Sequence, residues 1–304
     1  MTTKAGFAAV IGRPNVGKST IVNRIVGQKV SIVSDKPQTT RHRILGILTE
    51  KEYQIVFIDT PGVHRPGYRL NERMMESVYE VVREVDLLIQ VIDASESYGR
   101  GEEYVLDLIK MAKKPTILLI NKVDLVNNAK VLPVIDFYSQ QFDFQEIIPL
   151  SALTGDNLKL LRCKIVENLP EGEFPYSPDS ITDQPEYAIV AEIIREKVLE
   201  NTYQELPYST AVLIEQFDEN DREQGFVRIT ASIVTEKESQ KKIVIGRGGR
   251  MIKTIGTKAR RDIQNVLSVR KIYLDLNVKV TPNWRNRDHF LNQLGVRLDQ
   301  YTSL

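Results

Sequence analysis

Short apolar runs rich in β-branched residues alternate along the first half of the chain with longer stretches of helical period, which predicts a mostly parallel, doubly wound sheet covered by helices. The runs span residues 7–11, 54–58, 87–92, 116–120 and 146–150. Sheets of this kind bind ligands outside the carboxyl ends of their strands, so chemistry is expected in the residues that follow each run. Four of the five runs are followed at once by a polar signature. From 169 to 185 the pattern lapses into prolines, a glycine and acids, the composition of a linker. The expected division is a first α/β domain over 1–170, a linker over 171–185, a smaller α+β domain over 186–280 and a closing tail helix over 281–304. Within the second domain the pattern predicts a helix over 187–201, strands over 211–216 and 226–234, and an apolar strand end over 243–245 leading into a glycine turn. A helix over 250–267 and a strand over 272–280 with one buried face follow. The expected order is helix, two strands, glycine turn, helix, strand.

The signatures after the runs fit one ligand. Gly12-Arg13-Pro14-Asn15-Val16-Gly17-Lys18-Ser19 has the spacing of a phosphate loop and lies between a predicted strand and a predicted helix. Its glycines let successive backbone N–H groups face phosphate oxygens, and the helix start favours the same negative charge. Lys18 is suited to neutralise the β and γ phosphates, and the Ser19 hydroxyl to ligate Mg²⁺. Asp59-Thr60-Pro61-Gly62 supplies a carboxylate for a magnesium water and a glycine N–H for a γ phosphate. Asn121-Lys122-Val123-Asp124 reads the base. The Asp124 carboxylate only accepts hydrogen bonds, so it matches the N1–H and 2-amino donors of guanine and rejects adenine. Lys122 lays its stem along the base, Asn121 ties its loop to the phosphate loop, and the loop at Ser151 and Ala152 supplies an N–H to guanine O6.

Between these motifs, Thr40 is preferred to Thr39 as the residue that senses the γ phosphate and ligates Mg²⁺. The expected nucleotide-binding set is therefore Gly12, Asn15, Val16, Gly17, Lys18, Ser19, Thr20, Asp59, Gly62, Asn121, Lys122, Asp124, Ser151 and Ala152. Lys18, Thr40 and Gly62 act on the reacting phosphate, and Ser19, Thr40 and Asp59 are the magnesium set.

Composition narrows the setting. With 41 basic and 40 acidic residues the net charge is +1, which names no partner. The single cysteine excludes an intramolecular disulfide, and the absence of a signal-like start or a long apolar run points to a cytoplasmic protein. The three histidines, His42, His64 and His289, are scattered in sequence, and no metal or nucleophile constellation outside the nucleotide motifs is visible.

The motif order resembles the translation-factor-related GTPases, and Gln38-Thr39-Thr40-Arg41-His42-Arg43 together with Asp59 to Gly62 is similar to the bacterial Era GTPases. That resemblance spans nearly the whole chain. It implies a GTP-hydrolysing domain joined to a type II KH domain that binds the 3′ region of small-subunit ribosomal RNA, and a role in 30S subunit assembly. A monomer is expected. The runner-up is a membrane-associated or cell-cycle GTPase whose KH-like domain binds protein, with weak peripheral attachment at the inner face of the cell membrane. Ras-like proteins place a water-orienting glutamine directly after the D-x-x-G motif, whereas this chain has Val63. An apolar side chain holds no water, so slow intrinsic hydrolysis is expected. Asn15 resembles the asparagine that in related GTPases helps bind a K⁺ placed like an arginine finger.

In the second domain Gly246-Arg247-Gly248-Gly249 precedes a helix, and residues 241–271 carry ten Lys or Arg against one acid, Asp262. This is the footprint of phosphate binding, with Gly246, Arg247, Gly248, Gly249, Arg250 and Lys253 as the expected RNA contacts. The tail with Trp284, Arg285 and Arg287 either extends that surface or docks as a closing helix.

Overall fold

After its first residue strand β1 (Lys4–Ile11) has no polar side chain, and the computed structural model, which describes residues 2–36, 38–64, 67–203 and 206–296, buries both of its faces. Helix α1 (Lys18–Val26), β2 (Ile44–Thr49), β3 (Tyr53–Asp59), α2 (Arg69–Glu84), β4 (Leu87–Asp93) and α3 (Arg100–Ala112) follow. They are succeeded by β5 (Thr116–Asn121), α4 (Asn128–Ser139), β6 (Glu146–Pro149) and α5 (Leu158–Asn168). The six strands form one sheet in the order β2-β3-β1-β4-β5-β6, all neighbours parallel except β2 against β3. Ala8 and Val10 face a core shared with Ile21 and Val22 of α1 and Leu161 and Ile165 of α5. Ala9 and Ile11 face the opposite core, with Val78 and Val82 of α2 and Val105 and Ile109 of α3. Each of these valines, leucines and isoleucines contributes about 1.5–3 kcal/mol through burial.

The sequence pattern omitted β2. Its middle residue is Gly46, a weak strand former, but a Cβ there would meet Val22 Cγ1 at 2.9 Å, so glycine is what lets α1 pack against this strand. The stretch expected as a linker over 171–185 is not a free tether. The boundary between the two units falls after Asp183, with residues 68–70 grouped with the second unit. Ile47 N–H donates to Ile181 O at 2.8 Å, the Gln54 side chain exchanges two hydrogen bonds with the Tyr176 backbone, and Gly172 N–H donates to Thr3 O. Prolines and glycine break regular structure without preventing these edge contacts, which satisfy strand groups that would otherwise face water.

The second unit contains α6 (Glu186–Asn201), α7 (Leu206–Ser209), β7 (Ala211–Asp218), β8 (Phe226–Thr235), α8 (Glu238–Ile245), α9 (Arg250–Leu267), β9 (Lys271–Val280) and α10 (Asp288–Gln293). Strand β8 pairs antiparallel with β7 and parallel with β9. Its core joins Val190 and Ile194 of α6, Ile255 and Ile263 of α9, and the inward residues of the sheet. The run 243–245 is the end of helix α8 and not a strand end. Three consecutive branched residues suggested extension, but Gln240 Oε1 accepts the N–H groups of Glu236 and Lys237, and Gln240 and Val244 share the buried face at helical spacing. The parallel return from β8 to β9 requires a crossover, and α8 and α9 build it on either side of the glycine turn. The tail docks at Trp284, which is fully buried and donates its indole N–H to Ser209 O at 3.0 Å. Arg285 pairs with Glu236 at 2.6 Å. The part of the expected tail helix over 297–304 lies outside the described residues.

Candidate functional site

Four of the expected signatures meet at the carboxyl edge of the six-stranded sheet. A cavity of about 460 Å³ is lined by Asn15, Gly17, Lys18, Ser19, Thr20, Thr40 and Gly62 among others, together with Lys122. The loop from Gly12 to Gly17 takes its shape from backbone that other residues resist. Gly17 has φ 101°, and a Cβ on it would run into the Asn121 amide. Gly62 passes so near Pro14 that a Cβ would lie 2.8 Å from its backbone.

Lys18 is 6% exposed, and its ammonium donates to Gly12 O at 3.1 Å and Arg13 O at 2.9 Å. Burial pulls its pKa down to about 8, against the opposing attraction of Asp59. Asp59 is fully buried, and burial raises its pKa against the Ser19 hydrogen bond and the Lys18 charge. Ser19 Oγ donates to Asp59 Oδ2 at 2.6 Å and lies 3.0 Å from Thr40 Oγ1, which is itself 3.3 Å from Asp59 Oδ2. Asp59 Oδ1 is buried with no hydrogen-bond partner among the described residues. Two hydroxyls and a half-satisfied buried carboxylate form an all-oxygen set suited to a hard dication. Thr40 reaches this cluster, whereas Thr39 turns its hydroxyl to Lys36 O at 2.5 Å.

The loop of Asn121 to Asp124, expected to read the base, is tied to its neighbours through Asn121. Asn121 Nδ2 donates to Val16 O at 2.7 Å, and Asn121 Oδ1 accepts the Ala152 N–H at 3.0 Å. In the loop expected to supply an N–H to guanine O6, the Ala152 N–H is thus engaged by Asn121. Asp124 stands exposed in a single helical turn over Val123–Leu125, and its carboxylate makes no hydrogen bond or ion pair among the described residues. Asp124, Ser151 and Ala152 lie beyond the lining of the cavity. Buried Val63 offers no polar side chain, and its N–H donates to Gly12 O at 3.0 Å.

Three features escaped the sequence reading. Asn15 Nδ2 donates to Asp35 O at 2.7 Å, linking the phosphate loop to the loop that carries Thr40. His64 joins the turn after β3 to α2 and to the loop that carries Thr40: its Nδ1 lies 2.6 Å from Gly62 O and so donates to it, while Nε2 accepts from Asn71 Nδ2 at 2.7 Å and stands 3.2 Å from Gln38 Nε2. Asp93 meets Lys122 Nζ at 2.6 Å. Asp93 directly follows the one apolar run that had no recognised signature, and its position after a strand was the available signal.

In the second unit Gly246, Gly248 and Gly249 have φ of 74°, 60° and 75°, values an L side chain rarely adopts. A Cβ on Gly246 would sit 2.6 Å from Met251 Cβ, so this glycine lets the turn close onto α9. Arg247, Arg250 and Lys253 are exposed around the turn, and none makes an ion pair among the described residues. The turn therefore presents free cations and a helix start to solvent.

Comparison with known proteins places both units. A family model described as a 50S ribosome-binding GTPase matches residues 7–122, and a KH domain model matches residues 205–285. The structure of Era in complex with MgGDPNP and nucleotides 1506–1542 of 16S ribosomal RNA is 40% identical, with a TM-score of 0.93 over 97% of this chain and 100% of the other. An Aquifex aeolicus Era variant bound to GDP and AlF4⁻ matches with the same identity, coverage and TM-score.

Proposed function

This chain belongs to the Era family of GTPases, and from that premise we propose that it is a magnesium-dependent GTP-hydrolysing switch that binds the 3′ region of small-subunit ribosomal RNA through its KH domain and acts in 30S subunit assembly. The observation that carries the nucleotide half is the convergence of Ser19 and Thr40 on Asp59, whose second oxygen is buried without a partner. Ser19 and Thr40 would hold Mg²⁺ with Asp59 behind them. Bound there, the ion neutralises charge on the β and γ phosphates. Lys18 exchanges its two carbonyl acceptors for phosphate oxygens, and the Gly62 N–H meets the γ phosphate. Asn121 holds the base loop so that Asp124 accepts from guanine.

Val63 leaves the attacking water without a side-chain partner, so positioning falls to groups outside that residue. Asn15 and Asp35 O already share one spot, and with the amide turned over, two oxygens would face a K⁺ there. The RNA half rests on the free cations and permissive glycines of Gly246 to Lys253, on the KH match and on the ribosomal RNA bound by the Era relative. The runner-up, a membrane or cell-cycle GTPase with a protein-binding domain, draws no support from these relatives. Among the described residues no helix is long and apolar enough to cross a membrane. The cytoplasm, where ribosomes assemble, is the proposed location.

Titration of GTP, GDP and ATP with and without Mg²⁺ tests the nucleotide reading. Thr40→Ala is expected to lower GTP affinity in Mg²⁺ more than GDP affinity, while ATP fails to bind either protein. Equal losses for GTP and GDP would remove Thr40 from γ-phosphate sensing.

A further inference from the structure

The last residue of β4, Asp93, belongs to none of the nucleotide motifs, yet the fold brings it beside the loop of Asn121 to Asp124. Strands β4 and β5 run parallel with Asp93 opposite Asn121, and Ala94 N–H donates to Asn121 O at 2.8 Å. The Asp93 carboxylate is thereby delivered beside Lys122. It is 5% exposed and fully engaged: Oδ1 accepts the Ser95 N–H at 2.9 Å and the Ser95 hydroxyl at 2.6 Å, and Oδ2 meets Lys122 Nζ at 2.6 Å. Burial alone would raise its pKa, but the Lys122 and Ser95 hydrogen bonds outweigh it and hold the carboxyl below the usual carboxylate range.

Lys122 occupies an unusual position for a long cation. Its backbone is left-handed, with φ 64° and ψ 34°, and its side chain lines the nucleotide cavity while the ammonium is tied to Asp93. A lysine stem free in solution samples many rotamers, and freezing it against a base on binding costs conformational entropy. Here the ion pair with Asp93 restricts the stem at its far end. The anchor is itself anchored, because Ser95 fixes the other carboxylate oxygen.

We propose that Asp93 is a positioning residue for nucleotide binding, which acts through Lys122 by clamping its ammonium so that the aliphatic stem is preset as a wall for the guanine ring. The inference rests on the nucleotide reading above. Asp93→Asn keeps shape and Ser95 contacts but weakens the hold on the ammonium. It raises the dissociation rate of a fluorescent GDP analogue by about tenfold, the scale of freeing one rotamer-rich side chain. The change falls on KM and not on kcat. Asp93→Glu, which retains the charge, restores most of the loss. In a Lys122→Met background, which keeps the stem and removes the ammonium, Asp93→Asn has less than about a twofold effect because the pair no longer exists.

Melting of each nucleotide-free protein controls for folding. If Asp93→Asn does not fold, Ser95→Ala takes its place, with a smaller increase expected in the wild-type background and none in Lys122→Met. An equal acceleration in both backgrounds, or no acceleration in the wild type, overturns the proposal. Failure of the unmodified protein to bind the GDP analogue would instead overturn the nucleotide reading itself.

Discussion

The nucleotide cavity of the first unit and the glycine turn of the second hold their cations in opposite ways. In the first, the cations of the nucleotide site are committed to protein partners: Lys18 to two backbone carbonyls, Lys122 to Asp93, and Arg13 to Glu96 and Glu102 at 2.9 and 3.1 Å. In the second, Arg247, Arg250 and Lys253 stand exposed without ion pairs among the described residues around a turn made of glycine backbone. A preset, partly buried geometry recognises one ligand by directed hydrogen bonds, and salt screens it less than it screens exposed charges. Exposed charges attract any phosphate backbone, and salt screens them strongly. One chain thus carries a stereospecific site and an electrostatic one, and perturbations separate them.

The largest effect is expected at Asp124. Asp124→Asn sets an amide donor against a guanine donor and removes charge-assisted bonds, which should weaken GTP binding by about 3 kcal/mol or more, roughly two orders of magnitude. Preference should move toward xanthine nucleotides, and RNA binding should not change. Isothermal titration measures both, and undiminished GTP affinity would remove Asp124 from the site.

A smaller effect is expected from exchanging K⁺ for Na⁺ at constant ionic strength. Turnover should slow by roughly tenfold, less than the loss of a directed transition-state donor, with nucleotide affinity nearly constant. Asn15→Ala should abolish the difference between the two salts. Equal turnover of the unmodified protein in both would direct the search for the missing water-positioning group to a bound partner.

The smallest effect is the protonation of Lys18. Its pKa of about 8 without nucleotide lies below the ordinary lysine value of 10.5, so between those values the folded protein binds fewer protons than the unfolded chain. Stability of the nucleotide-free protein should therefore rise as pH increases from about 8 towards 10.5, while the effect on nucleotide binding is small. A bound triphosphate favours the charged ammonium, so binding near pH 8.5 should take up a fraction of a proton. Calorimetry in buffers of different ionisation enthalpy detects it. No uptake would mean that Lys18 does not meet the phosphates.

The same contrast explains what was legible in the sequence. Candidates for the phosphate-loop and base-reading roles stand out in the sequence because each proposed role demands a particular side chain at a particular distance from a strand end. Asp93 and His64 could not, since their work depends on which strand lies beside which and on how two loops meet, relations that spacing along the chain does not encode. Strand β2 was hidden by Gly46, whose reason is the close packing of α1. Helix α8 was hidden because the branched residues of 243–245 favour strands locally, while the crossover to a parallel β9 requires a helix. In the second unit the charge run 241–271 was visible, but it took the structure to distinguish Lys258, which is engaged by Asn201 and Glu200, from Arg247, Arg250 and Lys253, which have no ion pair among the described residues.

The central claim, that a GTPase and an independent electrostatic RNA clamp share this chain, is tested most directly by titrating a single-stranded fragment from the 3′ end of 16S ribosomal RNA across a range of salt. The unmodified protein and a variant carrying Arg247→Asp with Gly248→Asp are compared by fluorescence anisotropy, with thermal melting and GTP affinity measured on both. Each neutralised phosphate contributes about −0.7 to the slope of log affinity against log salt, so three to five contacts give the unmodified protein a slope of about −2 to −4. The variant is expected to lose most of its RNA affinity and most of that slope while melting and binding GTP as before. A well-folded variant that binds RNA with unchanged affinity and slope would contradict the account.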